Sequence, residues 1–450
     1  MDIGLKQRAL PLAHRLWEHP ITWFLLALIL NVAAAANMWD QQSLAPHYVH
    51  LADSLLNGRL DLMHTDNLYD LLVLDGRAYV AGSPLPAILL MPAVAIFSNR
   101  FSDILFSIVL GAANVSLVQL LFRKPWLTLL FALGTPHLYM GALGSVWLMA
   151  HLVAILFALL ALLAGWKHGN WFLAGLALAL AGLARPTLLF GAAFFGVYIW
   201  FQHRDRRRLR SLLRPLLLFA LPVALGVAAH LLYNHARFGG PLDFGYQYTA
   251  GAPNIVATYN RYGGFNAHYL SCDLFVSFLN PPLIRGWAPP LLFSVCDHLL
   301  DGVDIPTGRG LLTPNPLGMS LLLVSPAFLL LLGARRRRPT IIAAWVGLLA
   351  VMIPLWAYHN TGSVQFGYRY WMDAAPFWLL LLAETYPIRL AALASRLDRW
   401  LERARRPLIL VSILINFWGF LWLYNLFVGE QWYAIWARWL REMARRHLGW

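Results

Sequence analysis

The sequence predicts an all-α integral membrane fold: a polytopic helical bundle of about eleven spans with two large outer loops that carry short helices. Three observations predict it. Apolar residues make up 59% of the 450, and charged residues only 12%, a balance too oily for a soluble domain. The apolar residues come in runs of about 20, the length an α-helix needs to cross a bilayer. Most of those runs have no polar face, which a soluble helix would need.

Taken in order, apolar spans are expected near 20–38, 101–122, 125–143, 147–165, 171–184, 186–201, 215–232, 311–332, 340–357, 371–386 and 408–428. The stretch near Pro20 is long enough to be a first span and lacks a small-residue cleavage site, so it reads as retained rather than as a cleaved leader. The run PLPAILLMPAVAIF (84–97) is too short and too rich in proline for a span and reads as a re-entrant or interfacial helix. Residues 1–450 form a single polytopic domain in this reading, with 39–83 a first outer loop and 233–310 a second. The tail 429–450 reads as an amphipathic helix, with Trp432, Trp436, Trp439, Leu440 and Met443 at helical spacing and Arg438, Arg441 and Arg445 elsewhere on its surface.

The net charge of +14 does not imply nucleic acid. The basic runs RDRRRLR (204–210), RRRR (335–338) and RARR (403–406) each close an apolar run, the signature of short cytoplasmic loops, and nothing resembles a nucleic-acid-reading module. With the N-terminus cytoplasmic, 22 of the 35 basic residues fall in inner segments and 11 in outer ones, which supports that orientation. Eleven spans then place the arginine-bearing tail outside, the one feature that resists the scheme. The span interiors are nearly free of carboxylates, whereas 11 of the 21 acidic residues sit in the two outer loops. Any chemistry is therefore expected at the outer membrane surface, and an ion channel or pump is disfavoured. Cys272 and Cys296 lie in the same outer loop and suggest a disulfide; two unpaired thiols are the alternative.

Asp40 follows the first span directly. A setting near the headgroups, partly shielded from water, can make a carboxylate a usable general base; a solvated helix cap is the plain reading. Beyond it come the helix HYVHLADSLLNGRL, then YD and DGRAYV, and the proline-rich PLPAILLMP. Further on are GTPHLYMGALGSVWLMAH (134–151), GLARPTLL (182–189), RFGGPLDFGY (237–246) and FGYRYWMDAAPFWLLL (366–381). Together these resemble the membrane-embedded C-type glycosyltransferase superfamily, which includes the dolichyl-phosphate-mannose protein mannosyltransferases and the bacterial polyprenyl-phosphate-sugar transferases. The resemblance covers most of the chain, and it implies a multi-pass protein of the plasma or inner membrane with its site on the outer face. It implies a polyprenyl-phosphate-linked sugar as donor and an envelope glycan, glycolipid or protein as acceptor, with inversion at the anomeric carbon. Membrane lipids are the other expected partner.

By position Asp40 matches the family's catalytic carboxylate. The departing lipid phosphate needs positive charge, and arginine grips two oxygens at once; Arg77, Arg185, Arg237 and Arg369 are the candidates. His47, Asp53, His151, Asp243 and Tyr370 complete the expected substrate-binding set. The stretch YNHARFGGPLDFGYQY (233–248) is expected to line the donor site, with Arg237 and Asp243 on phosphate and hydroxyl and Phe244, Tyr246 and Tyr248 against the sugar; an aromatic belt around a structural turn is the alternative.

The sequence also departs from the family pattern. Gln41 stands where many members carry a second acid, GSPLP has no lysine, and the second outer turn offers His137 and His151 instead of a carboxylate. His47 and His50, three apart, have a metal-ligand spacing, but no further ligands are identifiable; His359 is another outer histidine. No cofactor is assigned and a divalent metal is left open. A lipid-linked sugar transporter or flippase, or an inactive scaffold subunit, remain as rival readings.

Overall fold

The computed structural model describes residues 17–65, 67–203, 209–251, 253–285, 287–300, 311–335, 337–386, 395–438 and 441. The fold is an all-α, polytopic bundle. Helix α1 (Pro20–Ala35) starts on a proline, whose missing N–H is no loss in a first turn, and is capped by the His19 ring accepting from the Ile21 N–H. A 3₁₀ turn, Ala36–Met38, extends it to 19 residues, about 28 Å at 1.5 Å per residue and enough to span. Then come α2 (His47–Leu56) and a hairpin of β1 (Leu71–Leu74) and β2 (Arg77–Val80), in register Leu71 to Val80 and Leu74 to Arg77. Its two-residue turn, Asp75-Gly76, has positive φ at both positions (51° and 74°), the geometry that matches strand twist. The proline-rich segment is the helix α3 (Leu85–Phe97), packed on α2.

The bundle follows: α4 (Asp103–Phe122), α5 (Pro125–Leu133), α6 (His137–Leu143), α7 (Val146–Leu162), α8 (Trp171–Ala184), α9 (Ala192–His203) and α10 (Leu209–Phe238). The described residues of the 249–320 region form short elements, among them α11 (Pro253–Tyr262), α12 (Leu270–Phe278), β3 (Leu283–Ile284), α13 (Pro290–Val295), α14 (Asp297–Leu300) and β4 (Leu312–Thr313), which pairs with β3. Helices α15 (Leu321–Val324), α16 (Pro339–Trp356), α17 (Ala375–Thr385) and α18 (Arg396–Val428) complete the chain. Helix α8 lies between α7 and α10. Small residues set that approach: a Cβ on Gly175 would lie 2.1 Å from the Phe219 carbonyl oxygen, so the two helices meet backbone to backbone.

Among the described residues, six helices are long and apolar enough to cross a bilayer, and seven if α5 and α6, bent by 58°, count as one broken span. The eleven expected spans are therefore not all continuous helices. The 186–201 run opens as a 3₁₀ segment, Pro186–Gly191, before α9. The 311–332 run is split into β4, α15 and a 3₁₀ segment, Pro326–Gly333. The 371–386 run has a 3₁₀ turn, Arg369–Met372, ahead of the 11-residue α17. Proline explains the first two breaks, since each such segment begins at one and the residue before it is driven out of the helical region.

The two ends of the bundle differ. At one, Lys124 Nζ donates to the Ala383 and Tyr386 carbonyls, Arg335 pairs with Asp398 at 2.7 Å, and the Arg405 guanidinium lies 4.8 Å from the Trp126 ring. Lys124, Arg335, Asp398 and Arg405 all come from segments expected to be cytoplasmic. The tail begins near the C-terminal end of α1, where the Trp432 and Trp436 indoles donate to the Ala33 carbonyl at 3.2 and 3.1 Å. Trp439, Leu440 and Met443 of the expected stripe, and Arg445 beside it, lie outside the described residues.

Candidate functional site

Away from that basic end, the loops and helix termini enclose a cavity of about 1010 Å³. Its wall is drawn from nearly the whole chain: His47 and Tyr48 of α2, Asp70 and Val80 of the hairpin, Trp147 of α7, Arg185 and Thr187 after α8, His230 and Arg237 of α10, Tyr246, Tyr259 of α11, Pro354 of α16, and Tyr358, His359, Arg369 and Tyr370. One side is apolar, with Leu189, Phe190, Ala350 and Ile353.

Local chemistry holds the wall together. Helix α10 runs past its apolar stretch to Phe238, so His230, Tyr233 and Arg237 share one face at helical spacing. Gly239, with φ +77°, ends it. The Arg237 guanidinium lies 3.9 Å from the Tyr233 ring centroid, and donates from Nη1 to the Val80 carbonyl (2.9 Å) and from Nη2 to Asn234 Oδ1 (3.0 Å). The chain then lays Thr249 beside Leu72, with the Asp70 N–H donating to Ala250 and the Ala250 N–H to Leu71, so it adds an edge to the hairpin. Asp243 accepts from the Gly245 N–H (2.7 Å) and from Gln247, which makes it the organiser of that turn.

Behind the cavity is a buried ion-pair centre. Asp373, fully buried, accepts from His151 Nδ1 at 2.6 Å, Arg185 Nε at 2.7 Å and Thr187 Oγ1 at 3.2 Å. The His151 imidazole on Oδ1 and the Arg185 guanidinium on Oδ2 thus pair both oxygens of the buried carboxylate. The Arg185 guanidinium in turn lies 5.2 Å from the Tyr370 ring. Gly362, at φ +93°, makes room for this face, since a Cβ there would stand 3.2 Å from both Arg369 Cζ and Tyr370 Cζ.

Asp70 is the one carboxylate among the described residues of the cavity wall. It takes a left-handed backbone conformation (φ 63°), which aspartate tolerates better than most residues, and accepts from the Trp147 indole at 2.5 Å. Burial raises its pKa against the opposing pull of that hydrogen bond and of Arg369. His47 and His359 are pushed down to about 4 by burial, so both imidazoles are neutral at pH 7. Several wall residues keep a polar atom with no hydrogen-bond partner among the described residues: His47 Nδ1, both His230 nitrogens, His359 Nδ1, Arg237 Nε and Arg369 Nε. Buried donors and acceptors are costly when unmade, so these atoms are suited to a polar ligand. Neither Arg237 nor Arg369 has a carboxylate within ion-pair distance among the described residues, which leaves two guanidiniums for an anion.

Of the residues expected from the sequence, His47, Arg185, Arg237, Arg369 and Tyr370 line the cavity, and His151 braces it through Asp373. Asp40, Asp53, Arg77 and Asp243 do not line it. Asp40 is exposed in the turn beyond α1, Asp53 is half-buried on α2, and Arg77 is exposed on β2. Cys272 and Cys296 are joined by a disulfide. Sequence reasoning missed Asp70, Asp373, His230 and Tyr358. Asp373 sits inside the quoted FGYRYWMDAAPF, yet its partners lie far away in the chain; the signal for His230 was available, as it is one and two turns before Tyr233 and Arg237 on the same helix face.

No family model matches the sequence, and no curated protein matches it. Solved structures that the chain resembles include the oligosaccharyltransferase of Archaeoglobus fulgidus in its apo form, at 14% identity and a TM-score of 0.49, with 88% of this chain and 56% of that one covered. Another is ArnT from Cupriavidus metallidurans bound to undecaprenyl phosphate, at 11% identity and a TM-score of 0.46, with 89% of this chain and 75% of that one covered. The chain thus spans 56% of the length of the archaeal enzyme.

Proposed function

We propose that the protein is an integral membrane glycosyltransferase that moves one sugar from a polyprenyl-phosphate donor to a hydroxyl of a cell-envelope acceptor. The observation that carries this is the composition of the cavity wall: two arginines without carboxylate partners, one carboxylate of raised proton affinity, and an apolar side, all at the bundle end opposite the basic loops. A phosphate with a hydrocarbon tail needs the first and the third. The acceptor hydroxyl needs the second. The motif resemblance supports the same class.

In this reading Arg237 and Arg369 hold the donor phosphate, and Tyr246, Tyr358 and Tyr370 face the sugar ring. Asp70 takes the proton of the acceptor hydroxyl as its oxygen attacks the anomeric carbon. The bond from that carbon to the phosphate oxygen breaks, the configuration inverts, and the charge that grows on the leaving oxygen is met by the two guanidiniums. The neutral imidazoles of His47, His230 and His359 bond hydroxyls. Asp40 is the rival base: it holds the position the motif resemblance gives the catalytic carboxylate, and it is tested beside Asp70. The outer face of the plasma membrane is the expected setting, since the basic loops then lie inside.

The test is a glycan and lipid profile of a deletion strain complemented with wild type, Asp70→Asn or Asp40→Asn. The expected result is the loss of one sugar from an envelope glycan, restored by wild type and by Asp40→Asn. Restoration by Asp70→Asn but not by Asp40→Asn transfers the base to Asp40. Restoration by both variants removes the carboxylate mechanism, and an unchanged glycan with an accumulated lipid-linked sugar makes the protein a transporter.

A further inference from the structure

We infer that the loop region outside the cavity contains a transition-metal site built from His268, Asp297 and His298, suited to zinc. One ligand atom from each of these residues lies within 4.8 Å of the other two. The His298 Nδ1 to Asp297 Oδ1 separation is 3.6 Å. Ligands about 2.0 to 2.2 Å from a tetrahedral zinc stand roughly 3.4 Å apart, so that pair is already close to zinc geometry, and His268 needs only a small side-chain adjustment. Two imidazoles and a carboxylate form a nitrogen-rich set that suits zinc and its neighbours in the transition series rather than calcium or magnesium. Three protein ligands leave the fourth position to water.

A second observation points to a ligand. The His298 side chain is only 6% exposed, and its Nδ1 has no hydrogen-bond partner among the described residues. An imidazole nitrogen left in that state is costly, and a metal would satisfy it. A disulfide restrains the segments that carry the ligands. Cys272 and Cys296 are bonded, and the ligands stand just outside that staple: His268 four residues before Cys272, and Asp297 and His298 immediately after Cys296. The His268 ring is fixed by stacking on Tyr262, 4.1 Å between centroids, and its backbone N–H by Asn266 Oδ1 at 2.9 Å.

The metal would join the segment that follows Gly264 and Phe265, both in the cavity wall, to α14, which does not itself line the cavity. Thr258 Oγ1 donates to the His298 carbonyl at 3.3 Å, which ties α14 to α11, and α11 presents Ile255 and Tyr259 to the cavity. Zinc at this place would therefore brace the loop wall without touching a reacting atom.

The test uses the full-length protein in detergent, freed of any histidine tag and stripped with chelator, titrated with zinc chloride alone. The expected result is about one zinc per chain, with affinity weakened by about tenfold or more in His268→Gln and in His298→Gln, and with a raised melting temperature in wild type only. His168→Gln, on a distant exposed turn, is expected to bind as wild type does. Absence of zinc uptake by wild type, or wild-type affinity in the His268→Gln/His298→Gln double variant, overturns the site. If the variants fail to fold, cobalt-loaded wild type decides the matter. A tetrahedral visible band with histidine nitrogens in the X-ray absorption spectrum supports the site, and a purely aqueous spectrum refutes it. Zinc stoichiometry is read without sugar transfer, so this result stands or falls apart from the proposed activity.

Discussion

Asp70 has two opposed effects of pH. Its carboxyl binds a proton more tightly in the folded protein than an ordinary carboxyl near 3.9 does. A base must be unprotonated, so transfer is expected to rise with pH along a limb that lies above the ordinary carboxylate range. Linkage runs the other way: the folded state is favoured where the proton is bound, and that contribution is lost as pH rises through the shifted range. The check is a pH series of turnover and of melting temperature in one buffer set. Asp70→Asn should lower turnover by about 10² to 10⁴ and flatten both limbs. Arg369 gives a simpler expectation. Losing one charge-assisted bond to the donor phosphate removes about 2 kcal/mol, roughly thirtyfold in kcat/KM, for Arg369→Ala with the fold retained. Steady-state kinetics with a polyprenyl-phosphate sugar would show an unchanged value if the arginine were merely interfacial.

Between elements, Asp373 is a junction of three side chains. It fastens α7 through His151 to the turn after α8 through Arg185, and to the start of α17. Removing one member of a buried charged set leaves the others unpaired, which costs about 3 to 5 kcal/mol, so Asp373→Ala is expected to lower the melting temperature sharply. A thermal melt in detergent reads this, and rescue by Asp373→Asn should be partial because the amide keeps a hydrogen-bond acceptor but not the charge. This junction also shows what one sequence can reveal. Arg185 and Arg369 were legible as candidates because the motifs GLARPTLL and FGYRYWMDAAPF carry them and a phosphate calls for arginine, although arginine at a span end is common. Asp373 was not, because its meaning comes from contacts with residues 188 and 222 positions away. Asp70 was equally hidden among several loop aspartates until the hairpin carried it to the cavity. Asp40 drew attention by its place after the first span; it is exposed there and does not line the cavity.

For the whole molecule, the apolar runs made the all-helical fold legible, and the breaks in them were less so. A proline between two apolar stretches can end a span or bend it, and the sequence pattern is similar in both cases. That is why 311–332 reads as one span and is built as several short pieces. The segregation of Lys124, Arg335 and Arg405 from the cavity makes a directional prediction. A cysteine placed at Asp53 should be labelled in intact cells by an impermeant maleimide, and one placed at Arg337 only after permeabilisation. The reverse pattern would invert the protein and place its cavity in the cytoplasm.

The Arg185–Asp373 pair has a consequence in time. The two residues are separated by 188 positions, so a ribosome working at about 5 to 20 residues per second leaves the arginine without its counter-ion for roughly 10 to 40 seconds. During that interval the carboxylate that pairs with Arg185 in the fold has not yet been made. A chain that stops before residue 373 leaves Arg185 without the counter-ion it has in the complete fold.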